Sequence, residues 1–371
     1  MALFLERTGP EPLRLGMQNT QNVRQHCIIG DLRQQLMKLI IQGHHPIPQP
    51  FHTRQRRDEN TVKSGEPVLQ VKNLCQSFPV RQGWLRRITA RIHAVEQVSF
   101  QLQPGETLGL VGESGCGKST LARTIIRLTE ASAGEVMLDN ENLLTAERLK
   151  LDVMRRKIQL IFQDPWESLN PRLRVGDALA EPMLAHGLVP PPDIRRAVRE
   201  LLASVGLDAA MAERFPHQFS GGQRQRICIA RALALQPRVI IADESVSSLD
   251  VTVRAEIINL LMELQRKHGI SILFISHDMA LVERISHRVA VMYQGKIVEI
   301  GSRQAIFETP AHPYTRHLLS AVPIADPEHK RKPLAPFNKI TSHKVAITEN
   351  AALISYKRLS DEHYVLNGQD V

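Results

Sequence analysis

At 371 residues the chain exceeds one ordinary domain, and 43% hydrophobic with 23% charged residues excludes a disordered or fibrous protein in favour of a globular one with a sizeable core. No apolar run approaches the ~20 residues needed to span a bilayer, and the opening MALFLERTGPEP has too short an apolar run before its charges to read as a secretory leader, so a cytoplasmic protein is expected. The formal net charge of +9 sits in small scattered clusters, at 54–57, 86–87 and 329–332, without interleaved aromatic residues, which argues for solvated faces or an anionic membrane surface and against a nucleic-acid groove.

Residues 1–66 read as an N-terminal extension and linker, partly disordered, with one short helix ending at Gly43 and a proline-containing polar stretch from His44 to Asn60. A new regime begins at Pro67. VLQVKNL and HAVEQVSFQLQ (His93 to Gln103) alternate as half-buried strands, and Pro104 and Gly105 turn the chain into TLGLVG, apolar throughout as a buried parallel strand requires. A helix over Leu121 to Leu128 and a strand at EVMLDN follow.

Further strands are expected at Ile158 to Gln163, Arg238 to Asp243, Ile270 to Ser276, Arg288 to Tyr293 and Lys296 to Gly301. The stretch from about 164 to 235 has no strand pattern, and its apolar residues recur at helical spacing, as in AVRELLASVGL, which predicts an inserted helical subdomain. After it, VTVRAEIINLLMELQRKHG is a helix with Asp250 as N-cap, Val253, Ile257, Leu261 and Leu264 on one face, and Gly269 beyond its end. Strands alternating with helices make an α/β domain over 67–325, and the tail, 326–371, adds at most two short strands.

Three segments carry chemistry. Gly112 to Ser119 fits G-x-x-x-x-G-K-[ST] between an apolar strand and a helix. Such a loop aims backbone N–H groups at phosphate oxygens, and the helix N-terminus adds its positive dipole end. Lys118 would reach the β- and γ-phosphates and the Ser119 hydroxyl would hold Mg2+. The apolar run Val239 to Ala242 then delivers Asp243 to a strand end, where it can hold the same hydrated ion, with Glu244 next to it as general base for an attacking water. Third, FSGGQRQR (Phe219 to Arg226) offers a hydroxyl and bare N–H groups at a helix start, a second anion site on the helical insert.

At this string the sequence resembles the ATP-binding-cassette (ABC) ATPases, over about 68 to 323. The resemblance implies a P-loop NTPase fold with a mixed core sheet, an N-terminal antiparallel β part and an inserted helical subdomain. It implies ATP and Mg2+ as ligands, and a head-to-tail dimer in which Ser220, Gly221, Gly222 and Gln223 of one cassette close the ATP site of another. Within the loop, Gly112, Ser114, Gly115, Cys116, Gly117, Lys118, Ser119 and Thr120 are the implied phosphate ligands. Gln163 matches the glutamine that touches Mg2+ and water, His277 the switch histidine at the γ-phosphate, and Asp250, in SSLD, the loop that crosses the dimer interface. Phe78 matches the aromatic that stacks on adenine, with core burial as its alternative.

FQDPWESLNPR (Phe162 to Arg172) and HPYTRHLLSAVP (His312 to Pro323) resemble the peptide-type importers, in which the first segment receives the permease's coupling helix. Within that group the chain is similar to the second of two fused cassettes in glutathione importers. That implies an ATPase on the cytoplasmic face of the inner membrane, a second cassette, integral permease subunits and, indirectly, a solute-binding protein. Dipeptide, oligopeptide or nickel import, or a cassette fragment without activity, are the alternatives. The four cysteines form no C-x-x-C pair, so neither a zinc ribbon nor an iron–sulfur arrangement is indicated. Three departures stand out. Cys116 replaces the usual Ser, either as an inert small thiol or as a thiolate favoured by Lys118; Phe219 replaces Leu; and Ser245 replaces the Pro after the catalytic glutamate, which predicts a looser backbone there.

Overall fold

The computed structural model describes residues 65–82, 87–320, 355–360 and 362–366. The chain divides into two units, Met1–Pro50 and Phe51–Val371, and every described residue belongs to the second. The helix expected before Gly43, and the extension around it, lie outside the described residues.

Two sheets form the frame. The smaller is antiparallel, with β1 (Leu69–Gln82), β2 (Arg87–Leu102), β4 (Ala133–Leu138) and β5 (Glu141–Asn142) in the order β2-β1-β4-β5. β1 runs well past the VLQVKNL stretch. Its pairing with β2 slips at four places, between Val71 and Leu74, Leu74 and Gln76, Gln76 and Ser77, and Val80 and Arg81. Each slip moves side chains off the two-residue alternation that a sequence pattern relies on.

The larger sheet has eight strands in the order β11-β12-β10-β9-β3-β8-β7-β6. β3 (Thr107–Val111), β6 (Ile158–Ile161), β7 (Val239–Asp243), β8 (Ser271–Ile275) and β9 (Arg288–Tyr293) are parallel neighbours. β10 (Lys296–Ser302) turns antiparallel to β9, and β12 (His363–Leu366) and β11 (Tyr356–Ser360) extend that edge. This is the mixed α/β architecture the sequence implies. Two segments of the tail, Tyr356–Ser360 and His363–Leu366, therefore belong to the core sheet.

Every residue of β3, β7 and β8 is buried because both faces of this sheet are covered. On one face Val239 and Ile241 pack with the antiparallel sheet and with Leu121 and Ile125 of helix α1 (Lys118–Ile125). On the other, Ile240 and Ala242 pack with Ile257, Leu261 and Leu264 of the helix after Asp250. Between β6 and β7 the chain holds helices and 3-10 turns and no strand, with apolar Leu179, Met183, Leu201 and Leu202 joined to the second core. No helix among the described residues is long and apolar enough to cross a membrane.

The register brings the working ends together. Leu110 of β3 and Asp243 of β7 both pair with Ile275 of β8, so the three strands stop side by side at one edge. The Glu244 N–H donates to Ile275 O at 3.0 Å and the Ser276 N–H to Leu110 O at 3.2 Å, fixing the segments that leave those strands.

Candidate nucleotide site

The loop from β3 to α1 wraps around one ammonium group. Lys118, only 4% exposed, points Nζ back at the loop, 2.8 Å from Gly112 O, 2.9 Å from Glu113 O and 3.8 Å from Cys116 Sγ. Gly117 caps the helix at φ 111°, and a Cβ there would run into the Ala94 carbonyl, so only glycine lets this loop pass so close to β2. Ser114 and Gly115 are exposed at the loop's tip, and Ser119 and Thr120 are half-buried in the first turn of α1.

Opposite the loop stand the strand-end carboxylates. The Ser119 hydroxyl donates to Asp243 Oδ1 at 2.9 Å. Asp243 is nearly buried, and burial pushes its carboxyl pKa up, opposed by the Ser119 hydrogen bond. Glu244 lies at the mouth. Its Oε2 accepts from Gln163 Nε2 at 3.0 Å, while Oε1 is 3.5 Å from His277 Nδ1 and 3.9 Å from Lys118 Nζ. Four residues from four separate segments thus meet at one carboxylate, and three of them, Gln163, Glu244 and His277, follow parallel strands of the core sheet.

Glu244 has φ 45°, in the left-handed region that a glutamate rarely adopts. The turn is closed by Ser247, whose N–H and hydroxyl both donate to Glu244 O, at 3.1 and 2.9 Å. Ser245 is buried within it. The expected loosening at Ser245 is therefore opposed by a hydrogen-bonded turn that holds the glutamate in a strained backbone state.

Arg254, which no motif pointed to, secures the next segment. Its guanidinium donates to Ser247 O, Leu249 O and Asp278 Oδ2 at 3.2, 3.0 and 3.1 Å, tying the loop before Asp250 to the segment after His277. Its position one turn after Asp250, the N-cap that accepts from Val253 N–H, is the only trace of this role in the sequence.

The signature string opens helix α6 (Gly221–Leu233; α2–α5 are Arg148–Lys157, Pro165–Ser168, Val175–Ala185 and Ile194–Ser204). Ser220 and Gln223 form a reciprocal cap, Gln223 N–H to Ser220 Oγ at 3.3 Å and Ser220 N–H to Gln223 Oε1 at 3.1 Å. A Cβ on Gly222 would strike Val253 Cγ1, so glycine there lets α6 pack directly on α7 (Val251–His268). Phe219 is buried in the core, while Ser220 and Gly221 are exposed. Among the described residues, no hydrogen bond or ion pair joins Ser220–Gln223 to the phosphate loop.

A cleft of about 530 Å³ lies between the insert and the strand ends, lined by Gln163, Trp166, Gly221, Arg224, Asp243 and Ser248 among others. On its rim Arg224 stacks its guanidinium 3.6 Å from the centre of the half-exposed Trp166 ring. Phe78 stays outside the core. It pairs with Ile92 across β1 and β2, and the two are 41% and 52% exposed, an apolar pair facing outward.

Cys116 resolves towards the inert alternative. It is 9% exposed, and burial raises its thiol pKa more than the neighbouring Lys118 lowers it. Its alkylation by iodoacetamide at pH 8 should be at least about tenfold slower in the folded chain than in the urea-unfolded chain; equal rates would mean an accessible thiolate.

The oxygen donors suit Mg2+. Ser119 Oγ and Asp243 Oδ1 are in contact, with the Gln163 carboxamide held nearby through Glu244. No group of three or more His, Cys, Asp or Glu residues fit to hold a metal occurs among the described residues. One carboxylate with neutral oxygens is how Mg2+ is held when phosphates complete its shell.

Comparison with known proteins points the same way. The ABC transporter family matches residues 95–247, and the oligopeptide/dipeptide transporter C-terminal region matches residues 298–345. The chain is 55% identical over 313 residues to the glutathione import ATP-binding protein GsiA of Shigella flexneri and to that of Escherichia coli K12, matching 84% of this chain and 50% of theirs. It thus spans about half the length of these curated relatives. Among solved structures it is similar to the dimeric ATP-binding cassette MJ0796 bound to ADP and Pi, with TM-score 0.56, 28% identity and coverage of 63% of this chain and 98% of that one. It is also similar to cbiO1 from Clostridium perfringens, part of the ABC transporter complex cbiONQ, with TM-score 0.57, 27% identity and coverage of 69% and 99%. With a phosphate loop, strand-end carboxylates and a capped signature helix on this fold, the chain carries an ABC transporter family domain over residues 95–247, followed over residues 298–345 by the oligopeptide/dipeptide transporter C-terminal region.

Proposed function

We propose that this chain hydrolyses MgATP at a site shared with a second cassette, and that closure and hydrolysis drive a membrane permease importing glutathione or a related small peptide. The observation that carries the chemistry is the Glu244 carboxylate, held by Gln163 and within 4 Å of both His277 and Lys118 at the mouth of the phosphate loop.

The loop amides and Lys118 bind the β- and γ-phosphates, and Phe78 takes the adenine. Ser119, Asp243 and Gln163 would hold Mg2+, which offsets charge on the phosphate oxygens. Glu244 accepts a proton from a water that Gln163 orients; the water oxygen bonds to the γ-phosphorus as the bond to the β-phosphate oxygen breaks, and ADP leaves. His277 meets the γ-phosphate. Ser220 and Gly222 of the partner cassette close over the same phosphate, because this chain's own Ser220 makes no bond to its own loop.

The similarity to glutathione import ATP-binding proteins supports glutathione as the solute, and the matched C-terminal region supports the wider peptide class. The cassette then sits on the cytoplasmic face of the membrane beneath the permease, with the cleft beside Trp166 receiving it. The test is Mg2+-dependent phosphate release by the purified chain, alone and mixed with a related cassette. Failure of both would favour a cassette fragment without activity. Uptake of labelled glutathione, a dipeptide or nickel by cells co-expressing the chain with its permease would then separate the solutes.

A further inference from the structure

The backbone of Glu113 is held on both sides of its Cα. Its carbonyl accepts from Lys118 Nζ at 2.9 Å, and its N–H donates to the hydroxyl of Tyr314 at 3.0 Å, across a sequence distance of 201 residues. Tyr314 is fully buried, with its ring 4.3 Å from that of Tyr293 at the end of β9.

From Tyr314 a continuous line of hydrogen bonds runs to the far edge of the core sheet. The Tyr314 N–H donates to His312 Nδ1 at 3.1 Å, and burial lowers the His312 pKa, which suits a neutral, accepting ring. The N–H groups of Ala311 and His312 donate to the two oxygens of Glu299 at 2.7 and 3.0 Å. Glu299, on β10, is fully buried, and its remaining partner is His363 Nε2 at 2.7 Å, on β12. A buried carboxylate needs such partners. His363 also lies against Gly301, where a Cβ would come within 3.0 Å of its ring.

We propose that Tyr314 is a positioning residue for the phosphate loop, and that the hairpin β11–β12, through the buried Glu299–His363 pair, sets how firmly the loop holds its shape for a nucleotide. The loop's geometry is then decided partly by residues more than two hundred positions downstream. The consequence for nucleotide affinity rests on the ATP reading above; the effect on the loop itself does not.

Amide hydrogen exchange in the full, nucleotide-free chain tests it, with MgADP affinity measured alongside. In Tyr314→Phe, which deletes only the hydroxyl, exchange at the Glu113 amide should quicken about three- to tenfold, the worth of one neutral hydrogen bond, while β7 and β8 exchange as before. The Kd for MgADP should rise by a similar factor. His363→Ala should move Glu113 in the same direction by less, and it decides the matter should the tyrosine variant misfold. Unchanged exchange at Glu113 in Tyr314→Phe would overturn the proposal, as would a rise matched in β7 and β8, which would signal only a weaker fold. No response to His363→Ala would overturn the hairpin's part. Wild-type chain that binds no MgADP would sink the nucleotide reading, while exchange at Glu113 still decides this one.

Discussion

Glu244→Gln should bind MgATP and yet lose steady-state hydrolysis by at least about a hundredfold, the lower end of what a positioned general base supplies. The amide matches the carboxylate in shape, and its carbonyl oxygen can still accept from Gln163, whose Nε2 lies 3.0 Å from Glu244 Oε2. What it cannot do is take a proton. It also removes a negative charge 3.9 Å from Lys118 Nζ, where incoming phosphates would otherwise meet repulsion, so affinity should hold or improve. ATP-bound dimers should therefore accumulate, visible as a doubled mass in size exclusion with ATP but not with ADP. Hydrolysis at the wild-type rate would remove Glu244 as the base and leave His277, whose Nδ1 lies 3.5 Å from Glu244 Oε1, to be tested in its place.

Lys118→Met should act at the other end, on binding. The buried ammonium is the one cation the loop encloses, and its bonds to Gly112 O and Glu113 O already fix the loop's curvature. Methionine keeps most of the stem and none of the charge. Charge-assisted bonds of this kind contribute about 1.5–3 kcal/mol, so affinity for MgATP should fall roughly tenfold to 150-fold. Calorimetric titration of the two proteins reads this directly, and an unchanged Kd would place the phosphates elsewhere. The two variants are complementary: one arrests a loaded site and the other leaves it hard to load.

The parts of this site that were legible in the sequence are those built from neighbours in the chain. Gly112 to Ser119 needs only its own glycines, lysine and helix start to form, and the apolar run Val239 to Ala242 delivers Asp243 and Glu244 wherever that strand lies. Gln163 and His277 gain meaning only from the register of β6, β7 and β8, which a single sequence does not display; resemblance supplied what spacing could not. The left-handed backbone at Glu244 was invisible because glutamate carries no preference for it, and the turn is imposed by Ser247 and by the hydrogen bond to Ile275. β1 looked short because its bulges break the alternation. Arg254 and Tyr314 were missed for a similar reason: two of the three bonds of Arg254, and the bond of the Tyr314 hydroxyl to Glu113, are to backbone groups, and such contacts leave no side-chain motif.

The buried carboxylate of Glu299 also constrains how the protein is made. Its histidine partner lies 64 residues further along the chain. At the usual 5–20 residues per second, the ribosome needs roughly 3–13 s to supply that partner after Glu299 itself has been added. For that interval β10 is an open edge, and a newborn sheet with an open edge invites pairing with the wrong chain. Synthesis of this cassette therefore passes through a window in which everything needed for the phosphate loop's own strand has been made, but the hairpin that covers β10 has not, and a chaperone able to shield a strand edge would matter most there.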